Sequence, residues 1–201
     1  MAQPTSEQIL CAAARLYAEH GFRGTTTRAI AEAAGVNEVT LFRLFGSKES
    51  LIVEALRQHG IPVHVGTLPE VPVDPGKELT AWATQTRKVL LSIRSMIVQA
   101  MSDAEHHPEM PRCVARGADA AFDAIHSYLD RVRAAGFVPE DAETHAAGGM
   151  LISALFHDAM SRAVMPQFFP AVSTAPATYA RLCLRALGYY AAKPAARRRA
   201  S

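Results

Sequence analysis

The stretch from Thr25 to Lys48 constrains the fold more than any other part of the sequence. Its first half carries apolar side chains at helical spacing, namely Ile30, Ala31 and Ala34. Gly35 follows them and can adopt the left-handed conformation that ends a helix. Its second half carries another apolar stripe, formed by Leu41, Leu44 and Phe45. Two amphipathic helices joined this closely must pack on each other, so the stretch predicts a helix-turn-helix.

One further helix is predicted on each side of this pair. The first begins at Thr5 or Ser6, either of which can cap it, and ends at Gly21. Its apolar stripe consists of Ile9, Leu10, Ala13, Leu16 and Tyr17. The other helix follows Ser47, a second predicted cap. Its buried side is predicted to contain Leu51, Ile52, Ala55 and Leu56.

Prolines mark the end of this small domain. Between residues 60 and 76 the chain contains Pro62, Pro69, Pro72 and Pro75. They forbid a continuous helix, so we place the boundary near His59. The sequence therefore predicts a first domain of residues 1–59, a second of residues 60–192 and a flexible basic tail of residues 193–201.

The second domain is predicted to be helical throughout. The predicted helices run from Glu78 to about Met101, from Pro108 to Arg116, from Ala118 to about Ala135, from Glu140 to about Met165 and from Pro176 to Tyr190. No segment alternates between apolar and polar residues with a period of two, so we expect no strands. The predicted fold class is all-α.

The helix from Glu140 is apolar on nearly every side and must be covered on more than one face. The last helix carries an apolar stripe of its own, consisting of Tyr179, Leu182, Cys183, Ala186, Leu187 and Tyr190. Together the two helices could form a four-helix interface with a second copy of the chain. Burial of both within one subunit is the alternative.

Composition excludes several other classes of protein. The formal net charge of +2 is too small for nonspecific coating of nucleic acid, so any DNA affinity must come from a local patch. The three cysteines lie far apart without a Cys-x-x-Cys pair, and we expect reduced, buried thiols and no metal site. The longest apolar stretch, Ala146 to Phe156, is too short to span a bilayer, and the N-terminal sequence lacks a leader pattern. We expect a soluble, cytoplasmic protein without a membrane partner.

Residues 6 to about 56 resemble the DNA-binding domain of the TetR family of bacterial transcriptional regulators. The resemblance is carried by GFRGTTTRAIAEAAGVNEVTLFRLFGSKESL, with its threonines, its Ile-Ala pair, Ala-Gly-Val at the turn and the final Phe-Gly-Ser-Lys. It implies an all-α homodimer in which a three-helix N-terminal domain binds DNA and a larger domain binds a small molecule. The family usually has a tyrosine where this chain has Phe42, and often a polar aromatic residue or histidine at Leu44.

The third helix is predicted to read DNA bases with Val39, Thr40 and Arg43. A rotation of about 100° per residue points these three away from the core side chains of the same helix. Val39 can meet a thymine methyl group, Thr40 can serve several bases, and Arg43 can pair with guanine O6 and N7. A phosphate contact is an equally good interpretation of Arg43.

The residues predicted to contact phosphates or to position the helix are Thr27, Arg28, Asn37, Phe42 and Lys48. Lys48 lies in the first turn of a helix, where free N–H groups and the positive dipole end favour an anion, although it could be only a surface charge. Asn37 lies at an N-cap position, which occupies its amide. Phe42 has no hydroxyl but can pack against a sugar edge. Glu38 could accept from cytosine N4, but we favour stabilisation of the helix dipole.

A largely apolar ligand pocket is predicted in the second domain. Its candidate residues are Trp82, Met96, Met101, Phe122, His126, Met150, Phe156, His157 and Phe168. Such residues form ligand pockets that have few polar anchors. They are equally typical of an ordinary core.

We therefore expect a regulator that binds a palindromic double-stranded operator as a homodimer and acts as a repressor. A small, largely apolar molecule is expected to release it from the operator. No Gly-x-Ser-x-Gly elbow, phosphate-binding loop or His-Glu-x-x-His helix occurs, so we expect neither an enzyme nor a cofactor. Two alternatives remain open: a helical protein that binds apolar ligands without regulating transcription, and a metal sensor. The second would use His106, His107 and Glu109 beside Pro108.

Overall fold

The computed structural model describes residues 6–59 and 66–189, with the backbone alone described at residues 114–117. These residues form nine α-helices and one 3₁₀ turn, with no strand among them, which confirms the all-α prediction. The helices are α1 (Ser6–Gly24), α2 (Thr27–Ala34), α3 (Glu38–Phe45), α4 (Lys48–His59), α5 (Pro75–Ser92), α6 (Arg94–Asp103), α7 (Glu109–Ala134), α8 (Thr144–Ser161) and α9 (Ala175–Ala186), and the 3₁₀ turn is Pro166–Phe168. The predicted basic tail lies outside the described residues.

The chain divides into two compact units. The first contains α1 to α4 together with Val89–Ala120, and the second contains α5 up to Lys88 and the described residues from Ala121 onward. The predicted boundary near His59 falls at the end of α4. The first unit is larger than the predicted domain because it includes α6 and the start of α7.

A buried core joins the four N-terminal helices. It consists of Ile9, Leu10, Ala13 and Ala14 from α1, Ile30 and Ala31 from α2, Leu41 from α3, and Leu51 and Ala55 from α4. Ala31 is 4% exposed, as expected for a residue of the apolar stripe of α2. Leu44 was wrongly predicted to be in this core, since it is 47% exposed. It lies about 60° around α3 from Leu41 on the side away from Phe45, so the covering helices do not reach it.

Two predicted helix boundaries in the middle of the chain were also wrong. The segment from Glu78 to Met101 forms two helices, because Ile93 leaves helical geometry at φ −109°, ψ 10°. The Ser92 hydroxyl donates to the carbonyl oxygen of Val89 at 2.7 Å, a side-chain bond of the kind that competes with helix continuation. Conversely, α7 runs through the predicted break near Gly117. A single glycine weakens a helix by about 1 kcal/mol without ending it.

A buried carboxylate organises the second unit. Asp158 of α8 is fully buried and accepts from Arg87 of α5 at 2.9 Å, from Tyr179 of α9 at 2.8 Å and from Arg162 at 3.0 Å. Burial alone would raise the pKa of Asp158, but the hydrogen bonds from Arg162, Tyr179 and Arg87 hold it below its usual value. This Asp158 cluster ties three helices together through one charge.

The three cysteines differ in their surroundings. Cys183 is buried, and that burial raises its pKa to about 12, which makes the thiol unreactive. Cys113 is partly buried and Cys11 is exposed. All three are free thiols, but the prediction of burial was wrong for Cys11 because it lies on the outer side of α1.

Candidate nucleic-acid interface

The turn between α2 and α3 is closed by local hydrogen bonds. Thr26 caps α2 by accepting from the backbone N–H of Ala29 at 3.1 Å. Gly35 is in the left-handed conformation at φ 68°, ψ 30°, as predicted, and Val36 N–H donates to the carbonyl of Ala31 at 2.9 Å. The turn therefore fixes the start of α3 relative to α2.

Asn37 is the N-cap of α3. Its side-chain oxygen accepts from the backbone N–H of Val39 at 2.9 Å, so the amide is engaged with the backbone as predicted. Next to it, the Thr27 hydroxyl donates a short hydrogen bond to the carboxylate of Glu38. This bond links the first turns of α2 and α3 and occupies one oxygen of the Glu38 carboxylate.

The outer face of α3 projects from the core. Val39 is 71% exposed, Arg43 is exposed and Thr40 is half-buried, whereas Leu41 is 2% exposed. Phe42 is 48% exposed and adds a large apolar surface beside them. The structure thus brings the three predicted base-reading residues together on one accessible side of a short, capped helix.

Lys48 is the first residue of α4 and lies beside an aromatic ring. Ser47 caps the helix by accepting from Ser50 N–H at 3.0 Å, as predicted. The Lys48 ammonium lies 4.3 Å from the centre of the Phe22 ring. Burial lowers the pKa of Lys48, and the nearby Glu49 and Asp103 carboxylates oppose that effect. No ion pair of Lys48 occurs among the described residues.

The remaining predicted DNA-contacting side chains surround the start of α2. Arg28 is exposed and Thr27 is half-buried. The backbone N–H groups of the first helical turn have no intrahelical acceptor, as at any helix start. Thr25 is different: it is fully buried, and its hydroxyl donates to the Gly21 carbonyl at 2.7 Å.

The contact of Phe22 with Lys48 was not predicted from the sequence. The two residues are 26 positions apart, and no periodic pattern relates them. No periodic pattern predicts the contact of Phe22 with Asp103 either, whose carboxylate accepts from the backbone N–H of Phe22 at 3.0 Å. Such contacts depend on how α6 packs against α1, which helical periodicity does not specify.

The nine predicted ligand-pocket residues occupy different environments. Trp82 and Met96 are buried at 2% and 8% exposure, whereas Met101, Met150 and Phe168 are exposed at 60%, 68% and 71%. Phe122, His126 and Phe156 are half-buried and His157 is exposed. A groove of about 140 Å³ between α8 and α9 includes Met150 but none of the other eight. It is lined by Ala147, Met150, Leu151, Ala154, Tyr179, Leu182, Cys183 and Ala186.

The histidines considered for a metal are arranged differently from a metal site. His107 Nδ1 lies 3.3 Å from Glu109 Oε1, while His106 is exposed. Within residues 6–59 and 66–189, no three His, Cys, Asp or Glu side chains are placed to share an ion. In the same ranges, no helix has both the length and the apolar character needed to cross a membrane.

Comparison with known proteins connects the N-terminal helices to a family. Residues 9–55 match the family of bacterial regulatory proteins, tetR family. The chain is 47% identical over 57 residues to the HTH-type transcriptional regulator YvkB of Bacillus subtilis (strain 168), covering 28% of this chain and 30% of that protein. It is 50% identical over 50 residues to the HTH-type transcriptional repressor KstR2 of Rhodococcus jostii (strain RHA1), covering 25% and 24%. The chain thus spans less than a third of the length of either relative.

The similarity of fold is more extensive. A TetR-family transcriptional regulator from Mesorhizobium loti MAFF303099 superposes with a TM-score of 0.70 at 19% identity, over 91% of this chain and 93% of that one. At this identity the match concerns the fold alone. Regulators of the matched family are transcription factors and not enzymes.

Proposed function

We propose that this chain, which belongs to the TetR family of bacterial regulatory proteins, binds a palindromic operator as a homodimer and represses transcription until a small molecule releases it. Regulators of the family bind DNA operators as dimers and respond to small-molecule ligands. The observation that carries the proposal is the outer face of α3, where Val39, Thr40 and Arg43 project from a helix fixed at both ends.

Each of these three side chains suits a particular base edge. Val39 presents two methyl groups that can contact a thymine methyl, and Thr40 offers a hydroxyl that both donates and accepts. The Arg43 guanidinium can donate two hydrogen bonds to a guanine, a contact that discriminates against other bases by about 1–3 kcal/mol. Phe42 supports them by packing against the sugar edge.

Phosphate contacts come from the ends of two helices. Lys48 supplies a cation at the start of α4, and Arg28 supplies one at the start of α2. Thr27 can add its backbone N–H, because the first residue of a helix has no intrahelical acceptor. Its hydroxyl donates to Glu38, so the contact with the phosphate would come from the backbone of Thr27 and not from its side chain.

A second copy of the chain is the proposed occupant of the groove between α8 and α9. Met150 and Leu182, which line it, are 68% and 54% exposed, and three small residues, Ala147, Ala154 and Ala186, also line it. Small residues allow close approach of a facing helix, and the exposed apolar side chains supply the surface to be buried. A two-fold dimer would then present two recognition helices about one DNA turn apart.

The ligand is proposed to bind in the second unit with mainly apolar contacts. Trp82 is 2% exposed, and its indole N–H has no hydrogen-bond acceptor among the described residues. An unsatisfied buried donor costs about 1–3 kcal/mol, so a ligand oxygen that accepted from it would be favoured. To release DNA, the ligand must bind the conformation with low operator affinity more tightly than the other.

Selection of bound sequences from random DNA, followed by gel-shift measurements, tests the proposal. Arg43→Ala should lower affinity and relax specificity at one base position, whereas Lys48→Ala should weaken binding to all sequences and reduce the salt slope by about one per half-site. Arg15→Ala is the matched control, because Arg15 is exposed on α1 and pairs with Glu19 at 3.5 Å. Unchanged affinity and salt slope for both test variants would contradict the proposed face.

A further inference from the structure

The end of α1 contains a turn that only glycine can make. Gly21 has φ 66° and ψ −176°, within a region that side-chain-bearing residues essentially never adopt. Thr25 holds the turn closed, with its N–H and its hydroxyl both donating to the Gly21 carbonyl, at 3.1 and 2.7 Å. The turn sets the direction of the next residue, Phe22.

Helix α6 is seated directly against this turn. A methyl group added at Gly21 would lie 2.5 Å from the Gln99 side-chain oxygen, so the Gln99 side chain would have to move to make room for it. Beside it, Asp103 accepts from the Phe22 backbone N–H at 3.0 Å. The last turn of α6 therefore holds the backbone of Phe22 in place.

The Phe22 side chain contacts two groups from different parts of the first unit. Its ring centre lies 4.3 Å from the Lys48 ammonium of α4 and 3.7 Å from the ring centre of His107. Phe22 is only 7% exposed, so its ring is surrounded by protein groups and not by solvent. An ammonium over an aromatic face is attracted by the electron-rich ring, and more strongly when water is excluded.

His107 is fixed by the turn that joins α6 to α7. Its backbone N–H donates to the Asp103 carbonyl at 2.8 Å, and its carbonyl accepts from Met110 N–H at 3.0 Å. Its Nδ1 lies 3.3 Å from a Glu109 carboxylate oxygen. The imidazole thus packs on Phe22 from a position anchored to both helices.

We propose that His107 and Phe22 are positioning residues for the phosphate contact of Lys48, so that the α6–α7 turn sets operator affinity at this contact. The inference rests on the proposed function of the chain as a DNA-binding repressor. Lysine carries a long, flexible side chain, and holding its ammonium on a fixed ring reduces the rotamer freedom lost when a phosphate binds. Removal of the His107 imidazole should let the Phe22 ring move, and the Lys48 ammonium would then lose its fixed position.

A double-mutant cycle between His107 and Lys48, read as operator affinity, tests this coupling. His107→Ala should lower affinity about threefold to tenfold per half-site, and it should have little further effect once Lys48→Ala is present. His107→Phe should restore most of the affinity because it returns a ring to the same position. His106→Ala is the matched control, since His106 is exposed in the same turn.

A second readout needs no DNA. Because the Lys48 ammonium lies 4.3 Å from the Phe22 ring centre, its side-chain protons in the free protein should show a ring-current shift. His107→Ala should change this shift, and His106→Ala should leave it in place. Thermal melts followed by circular dichroism confirm that each variant remains folded.

The outcomes separate this inference from the function on which it rests. Additive effects of the two substitutions on affinity, or an unchanged Lys48 resonance in a folded His107→Ala variant, would overturn the positioning role alone. Failure of the wild-type chain to bind any selected DNA would overturn the proposed function, and the positioning role for DNA binding with it.

Discussion

Lys48 and the Asp158 cluster are both charged sites in contact with an aromatic residue, but they differ in how fully their charges are satisfied. Asp158 is completely buried and accepts from two arginines and a tyrosine. Lys48 is partly buried, and its ammonium contacts the ring of Phe22 with no ion pair among the described residues.

This difference separates a structural role from a binding role. Every strong acceptor position of the Asp158 carboxylate is occupied. The cluster can therefore hold helices together, but its carboxylate has no free acceptor position for a ligand. An ammonium on an aromatic face retains donors that can reach an external anion. Substitutions in the first site should therefore change stability, and those at the second should change DNA affinity.

The largest expected effect is that of Asp158→Ala. It leaves two arginines without their shared carboxylate in a buried setting, which should lower the free energy of unfolding by about 3–5 kcal/mol. Urea denaturation measures the loss. Lys77→Ala is the control, because Lys77 is 88% exposed in its pair with Asp74, and a solvent-screened pair contributes little to stability. Equal losses of stability for Asp158→Ala and Lys77→Ala would contradict the structural role assigned to the buried Asp158 cluster.

Acid should weaken the same cluster. Because the folded pKa of Asp158 lies below its usual value, its contribution is fully present above the unfolded pKa and is lost as pH falls through the folded pKa. The stability difference between wild type and Asp158→Asn should thus be constant near neutral pH and shrink below about pH 4. Urea melts across that range give the profile, and a difference that grew on acidification would contradict the assigned direction.

Gly21→Ala should cause the next largest loss of stability, and it lies in the same unit as Lys48. Its backbone geometry should cost about 1–3 kcal/mol for an alanine, whereas the Gln99 side chain can move away from the added methyl group. Gly35→Ala provides the comparison, since Gly35 has positive φ but open space around the added methyl group. Thermal melts should show the larger loss for Gly21→Ala, because φ 66°, ψ −176° is harder for alanine than the left-handed conformation of Gly35. The reverse order would contradict the backbone conformation assigned to Gly21.

Asn37→Ala is expected to have a smaller effect. It removes the N-cap of α3 and should lower stability by about 0.5–2 kcal/mol. Asn37→Ser should recover most of the loss, because serine can also accept from the first helical turn. If alanine and serine were equivalent in denaturation experiments, the amide would have another role, and direct contact with DNA would be the first to examine.

Local features of the fold were predictable from the sequence because their causes are local. The cap at Asn37, the cap at Ser47 and the left-handed Gly35 each depend on residues within a few positions. The same local chemistry placed Val39 and Arg43 on the outer face of α3, opposite Leu41.

What the sequence did not reveal depends on packing between distant segments. Leu44 belongs to the apolar stripe by spacing but lies beyond the reach of the covering helices. The contacts of Phe22 with Lys48 and His107, and those of Asp158 with Arg87, join residues 26, 85 and 71 positions apart. Periodicity identifies which face of a helix is apolar, but it does not identify the partner that covers it.

The most direct test of the central claim is a salt titration of operator affinity for wild type, Lys48→Ala and Asp158→Asn, measured by fluorescence anisotropy. We predict that Lys48→Ala reduces the salt slope by about one per half-site while leaving stability nearly unchanged. Asp158→Asn should lower stability and leave the slope at the wild-type value as long as the protein is folded. An unchanged slope for Lys48→Ala would contradict the assignment of this face to DNA.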